Sequence, residues 1–340
     1  MTNSPIADLS YRHYDGPLEP PVARWWAIAR MTMQTATKKK GFWGWSFFSC
    51  WWYVILLAVF WFMDNVAPPI PAGGGDGGGG FSAIFLKQII WKDQFLHAFS
   101  YSQMILMVVA LLVGASSIAN DNRSNALLVY LSKPCSRLDY VVGKWMGIFL
   151  LITGVSLIPM LVFYAYGYMS FQQYGFWTGS PWLFLKLPFV AMASGALHAS
   201  LSVGISSMFN QGRVAGATYA GLYFLSYIFT QIMSGFNMAA TMNHEATPPM
   251  VRQLFYASID GLQIGMAKLI IGTNGSPIFP GVMGGGGRRR GPGSNEQPID
   301  VNQLIIGAPQ FTWIVPVFLF LVGLGFLIAW RRVKAVEVVG

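Results

Sequence analysis

The chain has 340 residues, of which 54% are hydrophobic, 15% aromatic and only 10% charged. A soluble domain carries about 25% charged residues, so folding in water would leave this apolar surface uncovered. That excludes a soluble enzyme, a nucleic-acid-binding domain or a disordered tail as a reading of the whole chain. The net charge of +9 comes from Lys and Arg gathered beside apolar blocks, a pattern of membrane topology and headgroup contact.

Residues 1–41 read as a cytoplasmic N-terminal tail and an interfacial helix. After Pro20 and Pro21, the residues Val22, Trp26, Ala29 and Met33 share one helical face, with Arg24 away from it and Arg30 at its edge. Ile28 and Met31 interrupt that stripe. A helix lying along the membrane surface is expected, with an unstructured basic tail as the other reading. Lys38, Lys39 and Lys40 precede an apolar block too long for a signal-peptide core, which is expected to stay as a span.

Crossing a bilayer takes about 20 mostly apolar residues. Six blocks qualify: 42–63, 98–119, 145–168, 183–208, 214–235 and 312–330. The expected fold class is therefore an all-α integral membrane protein, with six transmembrane helices over 42–330 and a cytoplasmic tail over 331–340. The first block is bracketed by Trp43, Trp45, Trp51, Trp52 and Trp61, which suits interfacial indoles. With both termini in the cytoplasm, about 14 of the 22 Lys and Arg residues fall on the inner side, as the positive-inside rule requires.

The expected outer loops are 64–97 and 236–311. Each holds a glycine-rich stretch, Gly73–Gly80 and Gly284–Gly293, whose composition suits flexible linkers. Within the second, residues 251–271 place apolar residues at near-helical spacing with Arg252, Asp260 and Lys268 between them. This segment either lies along the outer surface or dips back in. Lys186 opens the fourth span, where its stem can snorkel, and no charge falls squarely inside any of the six blocks. An ion-coupled carrier would need such a charge.

The inner loop over 119–144 is the most distinctive segment. A span ends at Asn120, Asp121, Asn122 and Arg123, and a short helix-compatible run follows with Leu127, Leu128 and Leu131 on one side. Ser132, Lys133 and Pro134 break that run; Ser136 can cap the next helix, which carries Arg137 and Lys144 before Trp145. A short apolar-faced helix in the cytosol has nothing of its own chain to pack on, so it suits contact with another protein.

These residues resemble the loop between the second and third spans of ABC-2 type transporter permeases. The match rests on Ile118, Asp121, Arg123, Leu127, Leu131, Ser132, Pro134, Ser136, Arg137, Gly143 and Lys144; Asp121 stands where the family has Glu, and Asn125 and Ala126 where it has Gly-Thr. The small residues around Ala196–Ala217 resemble the family's hairpin, and the N-terminal segment resembles its elbow helix. The resemblance implies a coupling loop, with Asp121, Arg123, Leu127, Leu128, Leu131, Ser132, Pro134, Ser136, Arg137 and Lys144 facing a separate ABC ATPase subunit. It further implies ATP and magnesium held by that partner, a second permease copy or a related permease, export as the direction, and a prokaryotic plasma membrane.

No GxxxxGK[ST] phosphate loop occurs, so ATP hydrolysis is not expected in this chain. No catalytic residue or metal site is expected, and the residues assign no substrate site. Cys50 and Cys135 suit neither a disulfide framework nor a CxxC site. Two other readings stay open. One is a non-transporting accessory or scaffold subunit of a larger, even energy-converting, membrane complex; the other is a haem or quinone subunit using His97 and His198.

Overall fold

A computed structural model of the chain describes residues 24–65, 86, 88–124, 136–243, 245–278 and 304–333. Among them every regular element is a helix and none is a strand. In chain order these are α1 (Arg24–Thr37), α2 (Lys40–Phe48), α3 (Trp51–Asn65), α4 (Trp91–Ala110) and α5 (Ala119–Arg123), the last two separated by a π-helical turn at Leu111–Ala115. There follow α6 (Arg137–Ser170), α7 (Leu183–Ser207), α8 (Gly212–Met242), α9 (Pro249–Ala257), α10 (Ile259–Ile271) and α11 (Phe311–Arg332).

Five stretches are long and apolar enough to cross a membrane: Lys40–Asn65, Trp91–Arg123, Arg137–Ser170, Leu183–Ser207 and Phe311–Arg332. They coincide with five of the six expected blocks. The expected block at 214–235 lies in α8, whose 31 residues are long enough, but its Tyr, Thr, Ser and Gln residues keep it out of the apolar set. A sixth apolar candidate comes from α9 and α10 together, bent by 103° at Ser258. Residues 251–271 thus lie in a broken helix pair packed against α4, α7 and α8. The glycine-rich stretches at 73–80 and 284–293 lie outside the described residues.

The most extensive packing joins α6 to α7, α7 to α11 and α1 to α6. Small residues make these approaches possible, as expected where lipid supplies no drive for helices to associate. A Cβ on Gly204 of α7 would sit 2.7 Å from the Gly325 carbonyl of α11. The small-residue hairpin therefore works against the last span as well as within itself.

The helix α1 forms, and the face it turns to the rest of the protein is offset from the stripe expected to meet the membrane surface. Ile28, Ala29, Thr32 and Ala36 are buried, while Trp26 and Met31 are exposed. Its partner is the start of α6, where a Cβ on Gly143 would lie 2.6 Å from the Trp25 carbonyl and one on Gly147 2.8 Å from the Ala29 carbonyl. Val22 lies outside the described residues.

The end of the bundle opposite α5 is an aromatic core. Trp91 stacks on Phe171 at 5.0 Å and lies 5.2 Å from Phe60, with Phe95 and Phe163 beside them.

Candidate functional site

The loop over 119–144 is anchored at both shoulders. Where the π turn ends, the backbone N–H groups of Ile118 and Ala119 both donate to Ser206 Oγ of α7 at 3.0 Å. A hydroxyl from another helix thereby takes two donors that the start of α5 would leave unpaired. Asn122 Nδ2 donates to the Phe209 carbonyl at 3.4 Å, so α5 sits against the α7–α8 turn. The Lys39 ammonium donates to the Leu112 carbonyl (2.9 Å) inside the π turn, where α-helical pairing is interrupted.

Asp121 and Lys144 close the base of the loop. Lys144 Nζ lies 2.8 Å from Asp121 Oδ2, with the two side chains 11% and 19% exposed. The Tyr140 hydroxyl donates to the same carboxylate oxygen (2.7 Å), and Lys144 also donates to the Ser117 carbonyl (3.2 Å). Its ammonium lies 5.7 Å from the centre of the Tyr140 ring. A part-buried ion pair holds best when its remaining donors and acceptors are also satisfied, and the tyrosine and the carbonyl do that here.

The second shoulder begins with a capping box. Ser136 Oγ accepts from the Asp139 amide (3.1 Å), and the Ser136 amide donates to Asp139 Oδ2 (3.0 Å). This fixes the start of α6 at Arg137. Arg123 and Arg137 are exposed, one on each shoulder. Of the ten residues expected to face a partner, five are therefore placed: Asp121, Arg123, Ser136, Arg137 and Lys144. Leu127, Leu128, Leu131, Ser132 and Pro134 lie outside the described residues.

The helix α1 completes this end of the bundle. Gly143 and Lys144 are adjacent in sequence with separate tasks: the glycine lets α1 lie on α6, and the lysine pairs with Asp121. A crevice of about 210 Å³ runs between α1 and this ion pair.

The family model for the ABC-2 family transporter protein matches residues 26–271, more than half of the chain. The chain belongs to the ABC-2 transporter family. It is a multi-pass membrane protein of the permease type, and the match runs from α1 to the end of the α9–α10 pair. No curated protein matches it.

A second polar region lies inside the bundle, and sequence reading had not assembled it. Asp260 and Lys268 on α10 are buried, as are Asp93, Gln94 and Gln103 on α4 and His198 on α7. His198 Nδ1 lies 2.5 Å from the Tyr219 hydroxyl and its ring stacks on Tyr223, whose hydroxyl donates to Asp260 (3.2 Å). Lys268 donates to the Ile306 carbonyl and to the Tyr256 hydroxyl. Thr273 donates to Asp93.

Lys186 does not simply snorkel. It donates to the Ile271 carbonyl at 2.8 Å, while Lys92 donates to the Gly272 carbonyl at 2.9 Å. Two ammonium groups thus satisfy carbonyls at the C-terminal end of α10, where the helix dipole is negative. His97 Nε2 lies 2.7 Å from the Ser276 carbonyl, a contact separate from that of His198. No group of three or more His, Cys, Asp or Glu suited to a metal occurs among the described residues. The signal for the buried charges was the apolar spacing over 251–271, where Asp260 and Lys268 interrupt a helix-length pattern.

Proposed function

We propose that the chain is the membrane-spanning permease subunit of an ABC-2 type exporter, driven by a separate ATPase subunit that docks on the 119–144 loop. The carrying observation is the Asp121–Lys144 pair, which closes the base of that loop at 2.8 Å. A segment whose two ends are joined moves as one lever when a partner pushes on it. One end is tied to the α7–α8 hairpin through Ser206, and the other continues into the 34-residue α6. A push on the loop would therefore tilt α6 and α7 together, and α1 with them.

In this reading both termini face the cytoplasm of a prokaryotic cell and the chain sits in the plasma membrane. Two permease chains, identical or related, form a two-fold assembly. ATP and magnesium are held by the ATPase, whose closure is the power stroke. The chain's own residues transmit force and line the path. Leu127, Leu128 and Leu131 supply the apolar contact face, with Arg123 and Arg137 as flanking charges.

The test is purification of the tagged chain from its own membranes in mild detergent. The expected particle contains a chain with Walker A and B motifs in about equal amount and hydrolyses ATP. A stable particle without any such chain would overturn the reading in favour of an accessory subunit.

A further inference from the structure

Above the level of the loop, a cavity of about 420 Å³ lies between α4, α8 and the α9–α10 pair. Its floor includes Asp260 and Lys268, which stand eight residues apart on α10, about 12 Å along the axis. Both side chains are buried, at 5% and 4% exposure. A lysine ammonium has three donors, and the described residues take two of them, through Ile306 and Tyr256. Asp93 acts on Lys268 electrostatically, but its carboxylate accepts from Thr273. Among the described residues no carboxylate lies within ion-pair distance of Lys268.

The cavity opens sideways. Tyr101 and Met104 of α4 and Gln231 of α8 line it and are exposed, which puts its mouth on the flank of the bundle between those helices. Tyr101 and Met104 lie about 15 and 20 Å from the start of the Trp91–Arg123 stretch, within the thickness of the hydrocarbon layer, about 30 Å. Trp51 is also a lining residue, and its indole N–H has no hydrogen-bond partner among the described residues. A mouth at lipid depth leading to a buried cation without a paired carboxylate among the described residues fits a molecule with an apolar body and an anionic head.

We propose that this cavity takes the anionic headgroup of a membrane amphiphile, held by Lys268. Entry is lateral, with the acyl portion left in the bilayer beside Tyr101 and Met104. Its standing as a transport substrate rests on the permease reading; the binding itself does not.

The test uses the full chain in detergent, with bound lipid read by native mass spectrometry. The probes are phosphatidylglycerol, which has both a phosphate and hydroxyls, the uncharged diacylglycerol of the same chains, and soluble glycerol phosphate. The wild-type chain is expected to retain phosphatidylglycerol over diacylglycerol by about tenfold or more, as the loss of a charge-assisted hydrogen bond implies. Glycerol phosphate is expected not to compete. Lys268→Met should abolish the preference, and so should Ser234→Trp, which fills the cavity without removing a buried charge.

Equal retention of the two lipids by the wild-type chain overturns the proposal, as does an unchanged preference in a folded Ser234→Trp chain. Competition by glycerol phosphate would mean a soluble anion is bound instead. Self-cross-linking of Tyr101→Cys in membranes would mean that a second copy covers the mouth, which equally overturns it. If lipid preference is missing while the ATPase still co-purifies, the headgroup site fails and the permease reading stands.

Discussion

Asp121 and Lys144 meet at 2.8 Å across the base of a loop whose two ends belong to different long helices. The pair links residues 23 positions apart. It ties the short α5, anchored through Ser206 to α7, to the first turns of α6.

Because both side chains are largely buried, removing one partner leaves the other charge poorly solvated. Lys144→Met or Asp121→Asn is expected to cost about 1–3 kcal/mol. The double variant should cost less than the sum, with a coupling of about 1 kcal/mol. Thermal unfolding of the detergent-solubilised chain measures this; strictly additive losses would show that the pair does not interact in the folded chain.

Gly143 carries the contact between α1 and α6. A valine there would drive its side chain into the Trp25 carbonyl and Ile28, so α1 must move or unpack, at a cost of about 1–3 kcal/mol. Gly154, farther along α6, has open space around its missing Cβ. Gly154→Ala should be neutral or stabilising by up to about 1 kcal/mol, since alanine is the better helix former. Limited proteolysis near Arg24 and Arg30 should increase in Gly143→Val only.

Ser206 accepts two backbone donors at the start of α5. Ser206→Ala leaves both in a buried setting, and a loss of about 1–3 kcal/mol is expected. Hydrogen exchange should rise first at Ile118 and Ala119 and leave α11 unchanged. Uniform exchange along the whole chain would count against a local anchor.

The spans were legible because a bilayer demands long apolar runs, and five of the six expected blocks pass on length and apolarity. The second shoulder of the loop was legible too, since Ser136 is a local capping residue; the Ser206 anchor of the first, 87 and 88 positions away, was not. The face of α1 was not. The expected stripe of Trp26 and Met33 was one for the membrane surface and says nothing of the side that meets the protein, where Ile28 lies against Gly143, and Ala29 and Thr32 against Gly147. The polar interior was hidden for another reason. Asp260 and Lys268 lower the apolarity of their segment, and only the 103° bend and the packing on α4, α7 and α8 bring them to one cavity.

Coupling to ATP requires that the 119–144 loop carry the ATPase. Leu127 and Leu131 can be replaced together by Asp, and the ATPase retained by the tagged chain measured from its own membranes. The expected result is loss of the ATPase chain and of ATP hydrolysis, at unchanged membrane levels and thermal stability of the permease. Full retention of an active ATPase by the double variant would contradict the coupling assignment.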